Sequence, residues 1–485
     1  MIMKKILILV VAALALVGIG SASAQSRNSY FMEGSYFRND LNPALAPTRG
    51  YLALPGISGV GINATNNILS IDNFLYQRDG QLVTALHGSV TADEFLGRLP
   101  DVGKISFDTK VNVFGLGFWA KKMYWSFGLN ANVSADMALS TDMFKALKTL
   151  GNGRYDLGNT ALEANAYLDA YLGTSFRVHR NVSIGLKAKF LVGVATLDAK
   201  FNNLSADIDP DAVSAVVEGT MNANGIVFDN SAVVPGEELP LGELFNYSDI
   251  SRMLSSAKNF GLAFDVGTEV RLFNDHLKIS AALVDFGFIR WKPDNLVTAA
   301  VDGHFNFNGI NLATQETDYA TDFKFVASEP SSTEQYNTQL NFSVNAGIEY
   351  NFLRNHFAVG LLSHTKFCNT MIYSELTASL NLRPTSWISA TVSHTFLNGN
   401  RPGVFGAAIN IHPAAFNLYV GVDYIDPRLV VGPEIDGREI YLPRYQKSLN
   451  VYAGLGFNFG RPKFLKEQAA QAKAEAKAKR QARRR

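Results

Sequence analysis

The chain has 485 residues, of which 47% are hydrophobic and only 18% are charged. Soluble globular proteins carry about 25% charged residues, so the composition is unusual for a protein surrounded by water. A mean hydropathy of +0.02 excludes a bundle of membrane helices. The single cysteine, Cys368, excludes an intrachain disulfide framework and every multi-cysteine metal site. The net charge of +1 indicates no particular partner by itself.

The first 24 residues have the features of a secretory signal peptide. Lys4 and Lys5 precede an apolar run over 6–19, and Ala22-Ser23-Ala24 forms an A-x-A cleavage site. The apolar run is shorter than the roughly 20 residues that a membrane-spanning helix needs, although an uncleaved N-terminal anchor is the alternative. We therefore predict cleavage after Ala24 and a mature protein outside the inner membrane of a Gram-negative cell.

Most of the remaining chain alternates between apolar and polar residues. Within 343–352, for example, Val344, Ala346 and Ile348 alternate with Asn345 and Gly347. Successive side chains of a strand face opposite sides, so such a strand has one apolar and one polar face. A soluble sandwich would alternate in the same way. Segments of roughly 10 to 15 residues, against a mean of 5–6 for strands of soluble proteins, favour a transmembrane antiparallel β-barrel.

The alternating segments predict an all-β fold with about 14 strands. An even count is typical of single-chain bacterial barrels. Short turns are expected on the periplasmic side, and the long stretches 63–104, 134–164, 201–259 and 291–337 are expected to be irregular or weakly helical connections, mostly outside the cell. Aromatic residues near segment ends predict interfacial girdles: Trp119, Tyr124, Trp125, Trp291, Trp387 and Tyr424. The predicted strands are 51–62, 105–119, 122–133, 165–178, 181–200, 260–272, 276–290, 338–352, 355–366, 370–382, 385–397, 402–412, 415–426 and 447–459.

Two segments flank the predicted barrel, which occupies 51–460. Residues 25–50 lack alternation and are expected either to fold into the lumen as a plug or to hang in the periplasm. Residues 461–485 contain ten Lys or Arg and two Glu, which predicts a basic, helical or disordered tail in the periplasm. The tail could contact phosphate-bearing lipid headgroups or an acidic partner; a simple solvated tail is the alternative.

Several short motifs resemble one group of outer-membrane barrels. Asn42-Pro43-Ala44, shortly after the signal peptide, resembles the N-terminal signature of the long-chain fatty-acid transporter (FadL-type) superfamily. Residues 259–267 are similar to a strand opening of that superfamily, and residues 284–291 to a strand end of relatives that accompany type IX secretion and gliding. The order of residues from Ser29 to Ala44 resembles a porin-like outer-membrane family of unknown function.

The resemblance implies a 14-stranded barrel with an N-terminal plug and, in some members, lateral passage of hydrophobic molecules. It implies no activity, because the porin-like family itself has none assigned. Near the end of the barrel, Gly454, Phe457 and Phe459 fit the terminal-strand pattern that the barrel-assembly machinery reads. An ordinary Phe-rich strand is the alternative, since the chain continues beyond this strand.

Ionisable residues on the polar faces are the main candidates for a functional site. A charge facing lipid costs about 2–4 kcal/mol at the midplane, so we expect these side chains to face the lumen. They could form a polar pathway or a network that holds the plug, or they could be internal ion pairs that fill the barrel. The residues are Lys187, Lys189, Asp265, Glu269, Glu349, Glu375 and Asp423.

The sequence thus predicts an outer-membrane channel or transporter for a small, hydrophobic solute. A non-transporting scaffold in a secretion, gliding or surface-assembly complex is the alternative. The expected partners are outer-membrane lipid, the barrel-assembly machinery and either such a solute or a secretion-complex protein, but no nucleic acid. Catalytic motifs such as GxSxG and HExxH are missing and the eight histidines are scattered, so no enzyme, metal site or cofactor is predicted.

Overall fold

A computed structural model gives the architecture of the chain. It describes residues 27–460 and 462, apart from 56, 79–80, 150–152, 209–212, 226–230, 232, 240–257, 294–295, 312–315, 330–334, 398–402, 436–437 and 444–447. The predicted signal peptide, its cleavage site at Ala24 and nearly all of the basic tail lie outside the described residues. Among those residues, no helix is both long enough and apolar enough to cross a membrane.

Strands make up most of the structure. Four short α-helices cover Arg38–Leu41, Ile71–Phe74, Ala92–Leu96 and Thr141–Thr149, and 3-10 turns cover Arg27–Ser29 and Leu353–Asn355. The strands are β1 (Gly50–Ala53), β2 (Val60–Asn66), β3 (Leu75–Arg78), β4 (Gln81–Thr84), β5 (Val102–Ala120), β6 (Met123–Ser140), β7 (Gly153–His179), β8 (Val182–Ile208), β9 (Val213–Gly225), β10 (Phe260–Leu272), β11 (Leu277–Trp291), β12 (Val297–Asn311), β13 (Glu316–Ser328), β14 (Tyr336–Gln339), β15 (Phe342–Phe352), β16 (Phe357–Phe367), β17 (Ile372–Thr385), β18 (Ile388–Leu397), β19 (Val404–Ile411), β20 (Phe416–Ile425), β21 (Leu429–Ile435), β22 (Arg438–Pro443) and β23 (Ser448–Phe459).

The main sheet closes into an antiparallel barrel of 14 strands when β1 and β2 are counted as one interrupted strand. Around the wall the order is β1/β2, β5, β6, β7, β8, β10, β11, β15, β16, β17, β18, β19, β20 and β23. Strand β23 closes the circle because it pairs with β20 on one side and with β1 and β2 on the other. Each strand predicted from the alternation overlaps one of these strands, so the predicted fold class and strand count are confirmed.

The two faces of the wall are the reverse of those of a soluble protein. On β10, Leu262 and Phe264 on the outer face are 47% and 51% exposed, whereas Asp265 and Glu269 on the inner face are 1% and 2% exposed. The same pattern recurs on the other barrel strands, with Val392, Val420 and Val451 outside. Water would favour polar side chains outside. An apolar exterior around a polar interior is the arrangement of a transmembrane barrel.

The two ends of the barrel differ. At one end, which we call the short-turn end, neighbouring strands are joined by the short connections 121–122, 180–181, 273–276, 353–356, 386–387 and 412–415. At the opposite end the chain makes long excursions. This asymmetry is typical of outer-membrane barrels, whose short turns face the periplasm.

The expectation of irregular structure in the long excursions was wrong for much of their length. Strands β7 and β8 have 27 residues each, whereas a membrane-crossing strand needs about 9–11. Beyond the barrel, β8 pairs with β9, β9 with β12 and β12 with β13. One face of this projecting sheet buries mostly small apolar side chains, among them Ala199, Ala223 and Ala299. Alanine has a low strand propensity, so the sequence signal there was weak.

The 63–104 excursion is also more ordered than expected. It contains the hairpin β3–β4 and two short helices. Tyr76, Val90 and Phe95 form a small core of their own beneath them. The helix at Ala92–Leu96 begins at Thr91, whose hydroxyl accepts a hydrogen bond from the Glu94 amide, an N-cap arrangement.

The predicted aromatic girdle was wrong at three positions. Tyr124, Trp291 and Tyr424 are buried instead of lying at a lipid interface. Tyr424 donates a hydrogen bond to Glu375 at 2.6 Å, and the Trp291 indole donates to Thr338 at 2.7 Å. Their polar atoms are satisfied inside the protein, which is how buried Tyr and Trp usually behave. Trp387, in a short turn, is exposed.

Candidate solute pathway

Residues 27–49, which we call the plug segment, lie inside the barrel near its short-turn end. The segment begins with the 3-10 turn Arg27–Ser29, continues through the helix Arg38–Leu41 and leads into β1 at Gly50. Tyr30, Leu41 and Asn42 are fully buried. The segment passes the rim beside Trp119, whose indole donates a hydrogen bond to the Pro47 carbonyl at 3.0 Å. It therefore fills the lumen near the short-turn end of the barrel.

The Asn42-Pro43-Ala44 motif is the most closely fitted part of the plug segment. The Asn42 side chain donates to the carbonyls of Thr268 and Ala281 in the wall, at 3.3 and 3.4 Å, and accepts the Ala44 amide at 2.9 Å. One side chain thus shapes its own turn and holds two neighbouring strands.

Two wall glycines make room for this motif. A Cβ at Gly185 would lie 2.0 Å from the Pro43 carbonyl carbon, and one at Gly267 would lie 2.1 Å from Asn42 Oδ1. Such distances are far inside van der Waals contact. The small residues of β8 and β10 are therefore required at these positions for the plug segment to approach the wall.

Two carboxylates of the plug segment pair with lysines of the wall. Asp40 lies 3.4 Å from Lys110 Nζ on β5 and 3.0 Å from Lys187 Nζ on β8. Burial opposes ionisation of Asp40, but the two ammonium groups outweigh it and hold the pKa of Asp40 well below its usual range. In the same way, Glu33 pairs with Lys278 on β11. Burial is outweighed there by the charges of Lys278 and Arg383, which lower the pKa of Glu33.

Arg27 supplies the opposite charge at the start of the plug segment. Its guanidinium bonds to Glu375 on β17 and lies 2.9 Å from His364 Nε2 on β16. Its backbone amide and the Asn28 side chain both donate to Asp423 on β20. Charge-assisted hydrogen bonds of this kind are the strongest polar contacts in proteins, and here they join three wall strands to one residue.

All seven ionisable residues predicted to face the lumen are buried inside the barrel. Lys187, Glu375 and Asp423 contact the plug segment. The other four pair within the wall: Lys189 with Asp265, Glu269 with Arg271, and Glu349 with Lys278 and Arg383. The set therefore divides into plug contacts and internal ion pairs, and the two interpretations of the sequence each describe part of it.

A second group of charges, which the sequence reasoning missed, connects opposite walls. Lys366 on β16 lies 2.7 Å from Asp108 Oδ1 on β5 and 3.6 Å from Asp136 Oδ1 on β6. Asn341, just before β15, donates to Asp136 at 2.5 Å. We call Lys366, Asp108, Asp136 and Asn341 the cross-lumen bridge. Lys366 lies two residues after His364 on β16, so both side chains point to the same face of the strand. The alternation could therefore have placed Lys366 in the lumen, but it could not have identified its partners.

The predicted assembly signal lies on the last strand of the barrel. Phe457 and Phe459 are exposed on the outer face, while Gly454 faces inward, where a Cβ would lie 2.3 Å from the Phe37 ring of the plug segment. The role of these residues in assembly stays a prediction. Within the described part of the chain, no three His, Cys, Asp or Glu side chains are grouped to hold a metal ion.

In a comparison with known families, residues 43–423 match a family of unknown function, DUF5723. The chain belongs to this family. The predicted resemblance to a family of unknown function is thereby confirmed. The DUF5723 match begins inside the plug motif at Pro43 and includes all seven predicted lumen residues and the whole cross-lumen bridge. No curated protein matches the chain.

Among solved structures, this DUF5723 chain is similar to several transporters at low identity. The toluene transporter TbuX of Ralstonia pickettii is 8% identical, with 91% of this chain and 96% of that chain covered and a TM-score of 0.39. The toluene transporter TodX of P. putida is 8% identical, with 88% and 94% covered and a TM-score of 0.38. A FadL homologue of Pseudomonas aeruginosa is 10% identical, with 91% and 99% covered and a TM-score of 0.39. At these scores the likeness supports no argument about function, and the barrel assignment rests on the strand pairing of the chain itself.

Proposed function

We propose that this protein is an outer-membrane channel or transporter for a small solute, and that the plug segment is its gate. The observation that carries the proposal is a closed barrel whose lumen is filled by a segment of its own chain. Among the described residues, this segment is joined covalently to the wall at Gly50 and is otherwise held by non-covalent contacts. The proposal assigns no catalytic step to the chain.

Two kinds of contact hold the plug segment in the lumen. Ion pairs and hydrogen bonds join Asp40 to Lys187 and Arg27 to Glu375, and Phe37 packs in an apolar cluster with Tyr419 of the wall. Water can replace the polar contacts when the segment moves, whereas exposing the apolar side chains is costly and favours the closed position. Movement of the segment leaves the outer apolar wall in lipid.

The solute class is a separate matter. The family resemblance implies a hydrophobic solute, and that class stays a prediction.

Deletion of residues 28–48 tests the gate. In planar bilayers, the shortened protein should show a larger and more frequently open conductance than the intact chain. Folding of the deletion variant is checked by heat-modifiable migration on a gel, which reports barrel closure. A second variant, Glu33→Gln with Asp40→Asn, keeps the full chain and only weakens the plug contacts. Unchanged conductance in both folded variants would contradict the gate.

A scaffold role has one specific observation in its favour. The sheet of β8, β9, β12 and β13 projects beyond the barrel, and its strands β9, β12 and β13 are not part of the 14-strand wall. Replacing residues 201–259 by a short turn should then remove a co-purifying partner while the barrel still assembles. A complex that survives this replacement would exclude the scaffold role for the projecting sheet.

A further inference from the structure

A cavity of about 560 Å³ lies at the short-turn end of the barrel, beside the plug segment. Three short turns of that end border it, 353–356, 386–387 and 412–415, and Glu33 and Arg49 of the plug segment line its other side. Most of the turn residues that line the cavity are exposed, so a ligand can enter from that end. Volumes of about 300–1,000 Å³ are typical of sites for small molecules. We call this cavity the rim pocket.

Positive charge dominates the rim pocket. Its lining carries three guanidinium groups and one carboxylate, those of Arg49, Arg354, Arg383 and Glu33. Glu33 pairs with Lys278, and Glu349 pairs with both Lys278 and Arg383, so two carboxylates balance these two cations. Among the described residues, Arg354 has no ion-pair partner. The charge of its guanidinium is therefore left for an anion to balance.

An anchored turn presents Arg354 at the rim. Leu353, Arg354 and Asn355 all have positive φ, at 49°, 61° and 69°, a conformation that residues other than glycine rarely adopt. Neighbouring groups hold the turn in this shape. The Asn355 side chain accepts a hydrogen bond from Arg383 at 2.8 Å, and His356 Nδ1 lies 2.9 Å from the Arg383 carbonyl oxygen. The backbone that carries Arg354 is thus fixed to the wall.

Two exposed apolar side chains indicate that the rim pocket lies at the level of the lipid headgroups. Trp387, which lines the pocket, is 44% exposed, and Leu353, next to Arg354, is 63% exposed. Tryptophan is enriched where a membrane meets water, and the short turns of outer-membrane barrels face the periplasm. Arg354 is therefore within reach of the phosphates of the periplasmic leaflet and of solutes in the periplasm.

Donors on both sides of the rim pocket suit a phosphate group. Arg49 lies on the plug side and Arg354 on the wall side, and a planar guanidinium binds two phosphate oxygens at once. The hydroxyl groups of Thr48, Thr385 and Ser386 can donate as well. The oxygens of a phosphate point in several directions and can accept from both sides, whereas the two oxygens of a carboxylate lie in one plane.

We propose that the rim pocket binds a phosphate-bearing ligand and that Arg354 holds the phosphate from the wall side. Two sources carry this chemistry, a phospholipid headgroup of the periplasmic leaflet and a soluble organic phosphate of the periplasm. The inference goes beyond the proposed function, because the ligand is not the transported solute and the site does not require movement of the plug segment.

Titration with glycerol phosphate tests the soluble source. The full-length protein is kept in a detergent without phosphate, and phosphorus NMR line widths report binding. Arg354→Gln should weaken binding roughly tenfold, the effect of losing one charge-assisted contact. Arg354→Lys keeps the charge but loses the planar fork, so its affinity should lie between those of the native protein and Arg354→Gln.

Native mass spectrometry tests the lipid source. The full-length protein is reconstituted into vesicles of phosphatidylglycerol and then extracted gently with the same detergent. The native protein should keep one lipid molecule bound, and Arg354→Gln should lose it. Lipid retained without binding of glycerol phosphate assigns the rim pocket to a headgroup, and the reverse assigns it to a soluble phosphate. Either result supports the proposal when it depends on Arg354.

The matched control is Arg180→Gln. Arg180 is an exposed arginine in another short turn of the same end and does not line the rim pocket, so its replacement should change neither measurement. Three results would overturn the proposal: no binding of either probe, equal effects of Arg354→Gln and Arg180→Gln, or tighter binding of the dicarboxylate glutarate than of glycerol phosphate. None of these results bears on the gate, because none of them measures conductance.

Discussion

Lys366 on β16 reaches across the lumen to Asp108 on β5, with 2.7 Å between Nζ and Oδ1. Around the wall the path from β5 to β16 passes β6, β7, β8, β10, β11 and β15, so the two residues come from opposite sides of the barrel. Asn341 and Asp136 make a second contact of the same kind. At this level side-chain contacts join the two walls, separately from the contacts that the plug segment makes.

Removing the charge of Lys366 should destabilise the barrel. Lys366→Met leaves Asp108 and Asp136 without their shared partner in a buried site, and breaking a buried pair typically costs about 3–5 kcal/mol. The control Lys200→Met removes an exposed ion pair with Asp198, which should change stability by less than about 1 kcal/mol. Urea titration of folding into lipid vesicles measures both. Equal stabilities of the two variants would show that the cross-lumen bridge contributes nothing.

Neutralising Asp40 should loosen the plug segment. Asp40→Asn removes the carboxylate that lies between Lys110 and Lys187. The plug segment then loses its attraction to these two lysines, and their ammonium groups repel each other. Trypsin added to the reconstituted protein should then cleave after Arg38, which is buried in the native protein. Asp93→Asn, at an exposed position on a short helix, is the control and should cleave at the native rate. Native resistance at Arg38 in both variants would count against this contact as an anchor.

A side chain at Gly185 should push the plug segment away from the wall. In Gly185→Val the new Cβ would lie 2.0 Å from the Pro43 carbonyl carbon, and the backbone of the plug segment would have to move. We expect more frequent channel openings from a barrel that still folds. Gly153→Val is the matched control on the same strand pair, because a Cβ at Gly153 meets no atom within 4 Å. Identical opening frequencies in the two valine variants would show that the plug segment does not need the space left by the missing side chain at Gly185.

Acidification should weaken docking of the plug segment through His412. Its imidazole packs against Gly34, and burial, reinforced by the Arg49 guanidinium and partly offset by Glu33, lowers the pKa of His412 to about 4. A free histidine titrates near 6.5. Between these two pH values, His412 binds more protons when the plug segment has left the lumen than when the segment is in place. The plug segment is therefore held less strongly as the pH falls from about 6.5 to about 4. Above 6.5 the histidine is neutral in both forms and has no effect.

Single-channel recordings from pH 7.5 to 4.5 measure this dependence as open probability. His412→Asn, which cannot titrate, should give a flatter profile over the same range. Glu33 and Asp40 stay ionised there because their pKa values are lowered. A His412→Asn profile as steep as the native one would assign the pH dependence to other groups.

Alternation along the sequence was sufficient to locate every strand of the barrel. It succeeded because lipid on one side and a polar lumen on the other impose opposite requirements on successive side chains of a strand. Val344 and Asn345, for example, lie on opposite faces of β15. Where those two environments end, beyond the barrel rim, the pattern weakens, and the Ala-rich strands of the projecting sheet were taken for irregular connections.

The sequence by itself therefore determined the fold class and the strand count, and it predicted which ionisable residues face inward. It could not determine their partners. Lys366 and Asp108 are 258 residues apart, and whether they meet depends on the shape of the closed wall, which no local pattern encodes. The tertiary structure alone decided that Asn42-Pro43-Ala44 sits against Gly185 and Gly267 and that Tyr124 and Trp291 are buried. Each of these follows from closing the sheet, because closure brings strands together that are far apart along the chain.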